Sequence, residues 1–177
     1  LGQNPVIGTI QVKKEKEKMK IKDLKMEGSA VFKGDKLIGW LDSKQTKGLL
    51  FIQDEVKTGI VNIANPFDKN KKIAIEISHS KGKIDAKLND GKLSFIIDIK
   101  VTGNIADQQG CDDLSSQEIL KTLDQETEKA IKKNIEDVLD TALNKYKSDI
   151  FGFSGVVHRK YLGYWKQVKD KWEDIFS

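Results

Sequence analysis

Apolar and polar residues alternate along residues 71–106, and a period of two is typical of strands with one buried face. Ile73, Ile75 and Ile77 share one side of the first run, "KKIAIEIS". A second alternating run, "KLSFIIDIKV", follows the sequence "NDGK" at residues 89–92, where Asp-Gly suits a two-residue hairpin turn. The pattern predicts an antiparallel ribbon whose apolar face must be covered by another element.

The apolar spacing becomes helical after residue 114, and the cover of the ribbon is predicted there. Ser115 is the predicted N-cap, with Glu118 three residues later as in a capping box. A helix that reaches Tyr146 would have about 32 residues and a length of about 48 Å at 1.5 Å per residue. We therefore predict an α+β fold class, mainly an antiparallel sheet packed against one long α-helix. The apolar positions of this helix are Ile119, Leu123, Ala130, Ile131, Val138, Leu139, Ala142 and Tyr146.

The glycine-rich stretch "GSAVFKGDKLIGWL", residues 28–41, is interpreted as two strands joined by a turn. A phosphate-binding P-loop requires G-x-x-x-x-G-K-[ST], and Trp40 follows Gly39 where that lysine would be needed. Two short apolar runs, at 30–32 and 37–38, flank four residues with turn chemistry. A β-hairpin is therefore predicted instead of a nucleotide site.

Two further elements are predicted between the hairpin and the ribbon. Asp42 is followed three residues later by Gln45, a capping box with Asp in place of Ser or Thr, and this predicts a short helix. Gly48 lies inside that helix and weakens its intrinsic propensity. The stretch "TGIVNIAN", residues 58–65, predicts another strand.

Lysines occupy every even position from residue 14 to residue 22, a strand period that is polar on both sides in its first half. We interpret this run as an exposed edge strand or arm, because lysines at an edge discourage unwanted pairing. The alternative is a surface that meets anionic lipid head groups, where each lysine would contribute about 1 kcal/mol. The candidate lipid contacts are Lys14, Lys16, Lys18 and Lys20.

Residues 151–176 hold seven of the thirteen aromatic residues, so this segment is either a packed core element or a contact surface. Tyr161, Trp165 and Trp172 fall on one helical stripe and predict a shorter, aromatic-rich C-terminal helix packed onto the core. The alternative is a surface that binds a partner. The candidate partner-interface residues are Phe151, Phe153, Arg159, Tyr161, Trp165 and Trp172.

Composition and charge exclude several classes of function. The 177 residues are 38% hydrophobic and 33% charged, which predicts one soluble domain spanning residues 1–177. The net charge is +4, and residues 13–22, with six lysines and two glutamates, account for all of it. Because Arg159 is the sole arginine and the remaining charge is balanced, we do not expect nucleic-acid binding.

Targeting and metal-binding signals are also missing from the sequence. No apolar stretch approaches the roughly 20 residues of a membrane span, and the first residues lack the pattern of a signal peptide. The single Cys111 excludes an internal disulfide, and neither His79 nor His158 has a partner at metal-ligand spacing. Residues 107–113 lack the ligand pattern of a calcium loop. We therefore expect no metal and no cofactor.

One weak candidate for nucleophilic chemistry is present. Ser154 and His158 are four residues apart and can share a helix face with Asp149 nearby, but no G-x-S-x-G elbow accompanies them. Asp112 and Asp113 precede the predicted long helix, where acids interact favourably with its dipole. The residues thus predict a binding or scaffolding domain, not an enzyme.

Several phrases of the sequence resemble the C-terminal domain of the Ger(x)C family, the lipoprotein C subunits of nutrient germinant receptors in endospore-forming bacteria. They are "GSAVFKGDKLIGWLDSKQTKGLLF", "KIAIEIS", the long helix and the closing "SDIFGFSGVVHRKYLGYWKQVKDKWEDIF". Leu162 departs from the proline often found after the closing tyrosine, which concerns only the local backbone. The resemblance covers nearly all of the chain. In the closing phrase the matching positions are Asp149, Phe151-Gly152-Phe153, Gly155, Arg159-Lys160-Tyr161, Trp165 and Trp172.

The resemblance implies a receptor domain with no catalytic residues to carry over. Family members are secreted with a lipobox, acylated on a cysteine and held on the outer face of the spore inner membrane. There they work with the membrane-spanning A and B subunits to convert nutrient detection into germination. Cys111 lies in mid-chain with no apolar segment before it, so the lipobox, the lipid anchor and the N-terminal domains are expected outside this chain.

The leading hypothesis is therefore a non-enzymatic C-subunit domain that acts in spore germination through protein–protein contacts at the membrane. The alternative is a small-ligand domain that binds a nutrient in a pocket between the ribbon and the long helix. A hydrolase built on His158 comes third.

Overall fold

A computed structural model of the chain describes residues 3–12 and 24–176. In this part of the chain, six strands form two three-stranded sheets, ordered β1-β2-β3 and β4-β5-β6, and five α-helices accompany them. The α+β fold class is confirmed. The elements are β1 (Val6–Val12), β2 (Leu24–Lys33), β3 (Lys36–Leu41), α1 (Ser43–Ile52), β4 (Gly59–Ala64), β5 (Lys72–Asn89), β6 (Lys92–Gln108), α2 (Gln117–Asp140), α3 (Phe153–Lys160), α4 (Leu162–Val168) and α5 (Trp172–Phe176).

The chain divides into two compact units. We call them the terminal unit (Leu1–Thr46, Ala86–Phe95 and Val138–Ser177) and the central unit (Lys47–Asp85 and Ile96–Asp137). The expectation of a single domain stays a prediction.

The first sheet belongs to the terminal unit, and its β2–β3 hairpin confirms the interpretation of residues 28–41. Lys33 pairs with Lys36 across a turn in which Gly34 has a φ of 61°, in the left-handed region that glycine tolerates best. Val31 is fully buried, so the inner face of this sheet contributes to the core of the unit.

The central unit is built around the predicted ribbon. Ile73, Ile75 and Ile77 are buried at 0%, 7% and 1% exposure, so the alternation along β5 is confirmed. They pack in one cluster with residues from α1, β4 and α2, which confirms that the long helix covers the ribbon in this unit. The buried members of the cluster are Phe51, Val61, Ile63, Ile73, Ile75, Ile77, Leu114, Leu123 and Ile131.

Helix α1 starts with the predicted capping box. Asp42 Oδ1 accepts a hydrogen bond from the Gln45 N–H at 2.8 Å, and Gln45 Oε1 accepts one from the Asp42 N–H at 3.0 Å. Gly48, which lowers the helix propensity, has a packing role in the central unit. A Cβ at this position would collide with the backbone of Asn134 on α2, so the glycine allows the two helices to approach closely.

The N-cap of helix α2 lies one residue later than predicted, and the helix begins at Gln117. Ser116 is the N-cap: its Oγ accepts from the Ile119 N–H at 3.3 Å, and its carbonyl accepts from the Leu120 N–H at 3.0 Å. The prediction of Ser115 was wrong because Ser115 is held in a turn, with its N–H donating to Asp113 Oδ1 at 2.9 Å.

The predicted end of the long helix at Tyr146 is confirmed, with a change of winding. The last turns, Thr141–Tyr146, form a π-helical segment that continues α2 without a break. The segment ends at Lys147, which has a left-handed φ of 48°.

The aromatic-rich C-terminal part is divided into short helices instead of the single helix expected. Helix α3 ends at Lys160, and Tyr161, with φ −131° and ψ 61°, leaves the helical region before α4 begins. A 3-10 turn, Lys169–Lys171, then separates α4 from α5.

The four candidate lipid contacts lie between Val12 and Leu24, outside the described residues. They are Lys14, Lys16, Lys18 and Lys20. Their roles as an edge or as lipid contacts stay predictions. Within the described ranges, no helix combines the length and the apolar character needed to cross a bilayer.

Candidate functional site

Asp149 organises the C-terminal motif of the terminal unit. Its side chain is buried, and Oδ1 accepts hydrogen bonds from the N–H groups of Gly152 and Phe153, each at 3.0 Å. Oδ2 accepts from the Ser154 N–H at 2.8 Å and from the Trp172 indole N–H at 3.2 Å. One carboxylate thus caps the start of α3 and joins it to the start of α5.

This arrangement satisfies a buried charge with four donors. The first N–H groups of a helix have no partner within the helix, and the positive end of its dipole favours an anion there. The Asp149 main chain is used as well, since its carbonyl accepts from the Asn4 N–H at 2.9 Å. Asp149 therefore fixes the motif in place, a role that the sequence analysis, which named it only as a matching position and as a neighbour of Ser154 and His158, did not assign.

The aromatic rings of the motif form two groups of contacting rings, and Asp149 hydrogen-bonds to a member of each. Phe95 stacks on Phe153 with ring centroids 4.3 Å apart, and Phe151 lies 5.2 Å from Phe153. Trp165 and Trp172 make an edge-to-face contact at 5.4 Å. The four candidate interface residues Phe151, Phe153, Trp165 and Trp172 are each at most 7% exposed, so they pack inside the terminal unit.

The accessible part of the motif lies where α3 passes into α4. Arg159 is exposed, Tyr161 is half-buried, and Leu162 is 51% exposed. Lys160 Nζ and the Tyr161 hydroxyl both donate to the Ala86 carbonyl, at 2.8 Å and 3.3 Å, and so fix this corner. The structure thus separates the predicted interface residues into four buried rings and two that a partner can reach. The predicted interface itself stays a prediction.

The candidate nucleophile is not activated in this arrangement. Ser154 is 1% exposed, and its Oγ has no hydrogen-bond partner, so His158 does not accept its proton. His158 instead presents its ring to Trp165, with centroids 5.9 Å apart. The Asp149 carboxylate is engaged by backbone and indole donors. A catalytic triad therefore does not form here.

In the alternative hypothesis a nutrient pocket lies between the ribbon and the long helix, and buried apolar side chains pack together in that region of the central unit. Within the central unit, the space between β5 and α2 contains the apolar cluster of Ile73, Ile75, Ile77, Leu123 and Ile131. In the described ranges, no group of three or more His, Cys, Asp and Glu side chains could hold a metal ion.

The acidic residues before α2 have structural partners. Asp112 Oδ2 accepts from the side-chain amide of the buried Asn65 at 3.2 Å, which ties the two loops together. The pKa of Asp113 lies below its ordinary value because the side chain and then the backbone N–H of Ser115 donate hydrogen bonds to its carboxylate.

Tyr146 makes a contact that sequence reasoning missed. Its hydroxyl accepts from the Trp40 N–H at 3.0 Å and donates to the Trp40 carbonyl at 2.8 Å, and in the described part of the chain β3 is the end strand of its sheet. Gly39 makes the contact possible, since a Cβ there would collide with the tyrosine ring. The periodicity assigned Tyr146 only to the apolar side of the long helix, and no local signal indicated the π-helical winding from which its ring reaches β3.

Comparisons with known proteins all find spore germination proteins. A family model described as "Spore germination B3/ GerAC like, C-terminal" matches residues 27–177. Spore germination protein B3 of Bacillus subtilis (strain 168) is 30% identical over 169 residues, which are 94% of this chain and 43% of that protein. Spore germination protein KC of the same strain is 25% identical over 152 residues, 85% of this chain and 37% of that protein.

A solved structure agrees with these relatives. The crystal structure of the GerBC protein matches with a TM-score of 0.77 and 27% identity, and the match covers 98% of this chain and 52% of that one. The chain therefore spans less than half the length of the two curated relatives and about half of the crystallised protein.

Proposed function

Since this chain belongs to the spore germination B3/GerAC-like C-terminal family, we propose that it serves in nutrient-triggered spore germination as a domain of a germinant-receptor C subunit. The observation that carries the proposal is the family match over residues 27–177. Its relatives include spore germination proteins B3 and KC, and the GerBC structure matches almost the whole chain.

The domain acts by contact and not by catalysis. Support comes from the side chains that a hydrolase would need: the Ser154 hydroxyl is buried without a partner, and Asp149 is fully engaged in capping α3. The buried Asp149 carboxylate and the aromatic rings near it instead make a rigid support for the surrounding surface. Such a support is what a docking module requires.

The partners are the A and B membrane subunits of the receptor, and the domain works at the outer face of the spore inner membrane. The accessible corner between α3 and α4 is the surface we assign to a partner. Arg159 offers a fork of donors suited to carboxylates, and Leu162 and Tyr161 offer apolar area beside it. A lipid anchor would be attached outside this chain.

A germination experiment tests the role. The gene is deleted in the spore former that carries it, and germination is followed with single nutrients by loss of refractility. We expect the response to at least one nutrient to disappear and to return with the intact gene, while a nutrient-independent trigger still works. A normal response to every nutrient that wild-type spores recognise would contradict the proposal.

The mode of action is tested by photo-crosslinking in spores. A crosslinker at Leu162 should capture an A or B subunit, because this side chain is 51% exposed beside Arg159. The control position is Leu120 on α2, which is 42% exposed and lies outside the motif. Capture at Leu162 of nothing beyond what Leu120 captures would remove the assigned surface.

A further inference from the structure

The outward-facing side chains of the first sheet are apolar. Ile7, Ala30 and Trp40 lie directly opposite one another on three adjacent strands, so their side chains share one face. Phe32 and Leu37 form the next row on the same face. Ile7 and Trp40 are each 57% exposed and Leu37 is 49% exposed, whereas Ala30, flanked by the larger side chains, is buried. We call Ile7, Phe32, Leu37 and Trp40 the outer sheet face.

The outward side of the second sheet is mostly polar, although it also includes Ile60 and Ile96, which are 39% and 44% exposed. Outward positions of β5 carry Lys72, Glu76 and Ser78, and those of β6 carry Asp98 and Lys100, all exposed. An antiparallel sheet with one solvated face normally alternates in this way. The outer sheet face departs from that pattern over adjacent strands, and clustered exposed apolar side chains mark interaction surfaces.

We propose that the outer sheet face is the docking surface for the polypeptide that precedes this domain in the full-length protein. The matched part is 43% of spore germination protein B3 and 52% of the GerBC chain, and the family model describes a C-terminal region. A family member therefore has a comparable length of chain before this domain.

The position of β1 favours that occupant over a separate molecule. In a family member the preceding chain leads towards β1, the first strand of this domain, and Ile7 on β1 is part of the outer sheet face. This covalent tether gives the preceding polypeptide a high effective concentration at the face, which an unlinked partner does not have.

Photo-crosslinking of the full-length protein tests the inference. Benzoylphenylalanine replaces Trp40, a change from one exposed aromatic side chain to another, and crosslinked peptides are identified by mass spectrometry. A mixture of 14N- and 15N-labelled protein distinguishes links within one chain from links between copies. We expect links from position 40 to peptides that precede residue 1, with both peptides carrying the same isotope.

The matched control is Ile96, which is 44% exposed on the mostly polar outer side of the second sheet. Benzoylphenylalanine at this position should give no such links. Links of mixed isotope, links to another protein or to lipid, or no link at all from position 40 would overturn the inference.

A second measurement keeps the inference testable without the crosslinker. Ile7→Ser combined with Trp40→Ser should raise the rate of limited proteolysis between the preceding polypeptide and β1 at least about tenfold, because large apolar side chains lose their burial. Ile96→Ser should change this rate less than about twofold. Equal rates in the two variants would count against docking.

The inference and the proposed function fail separately. Spores that germinate normally without the gene would contradict the receptor role and leave the intramolecular links unaffected. Capture of a second copy at position 40 would remove the docking surface and leave the germination result standing.

Discussion

Asp149→Asn is the substitution for which the structure gives the most definite expectation. The side chain keeps its shape, but one carboxylate oxygen becomes an amide group. The remaining oxygen can serve the N–H groups of Gly152 and Phe153, as Oδ1 does now. The amide group then faces two other donors, the Ser154 N–H and the Trp172 indole N–H, and cannot accept a hydrogen bond from either.

The expected cost follows from those two donors. A buried donor left without an acceptor costs about 1–3 kcal/mol. Asp149→Asn should therefore lower the free energy of unfolding by about 2–6 kcal/mol, a large part of the roughly 5–15 kcal/mol that stabilises a typical domain. Trp172→Phe removes one of the donors, so Asp149→Asn should cost about 1 kcal/mol less in that background.

Urea unfolding followed by tryptophan fluorescence measures these differences, because Trp165 and Trp172 are buried beside the carboxylate. Asp170→Asn is the matched control: this acid is exposed in the 3-10 turn of the same segment, and its loss should change stability by less than about 0.5 kcal/mol. An Asp149→Asn protein as stable as the control, or strict additivity with Trp172→Phe, would refute the reasoning.

Three other outcomes are expected. Tyr146→Phe should lower the free energy of unfolding by about 1–2 kcal/mol and accelerate hydrogen exchange at the Trp40 amide, since two hydrogen bonds are lost; unchanged exchange would contradict this. Ser115→Ala should raise the pKa of Asp113 towards 3.8, as measured by an NMR titration, because one hydrogen bond to the carboxylate is lost. In the unchanged protein the lowered pKa of Asp113 stabilises the folded state above pH 3.8, and this contribution is lost as the pH falls through the folded-state pKa. If lysines in residues 13–22 touch lipid, binding to anionic vesicles should weaken steeply with salt and disappear when they are replaced by serine; salt-independent binding would leave only the edge-strand interpretation.

Much of the fold could be predicted because its local signals agree with its packing. The alternation around Ile73, Ile75 and Ile77 needs only a period of two, and the capping box at Asp42 and Gln45 needs only adjacent residues. The cap of α2 was misplaced by one residue because consecutive serines offer equivalent hydroxyls. The choice depends on the turn that Asp113 makes, which periodicity does not record.

The candidate site was harder to predict because its contacts join residues far apart in sequence. The spacing of Tyr161, Trp165 and Trp172 is compatible with one helix. In the structure, however, the backbone of Tyr161 leaves the helical region, and the indole N–H of Trp172 donates to Asp149. The exposure of Trp40 could not be predicted from neighbouring residues either, because an apolar side chain on a strand does not indicate which face of the sheet is covered.

The two hydrogen bonds between Tyr146 and Trp40 also affect how molecules can associate. Sheets of neighbouring molecules join through end strands, and β3 is an end strand whose Trp40 N–H and C=O are already used. An incoming strand would meet a phenol ring in place of free backbone at that point, and pairing would require the π-helical segment to withdraw first. A single side-chain oxygen thus occupies, at Trp40, both backbone groups that an incoming strand would need there.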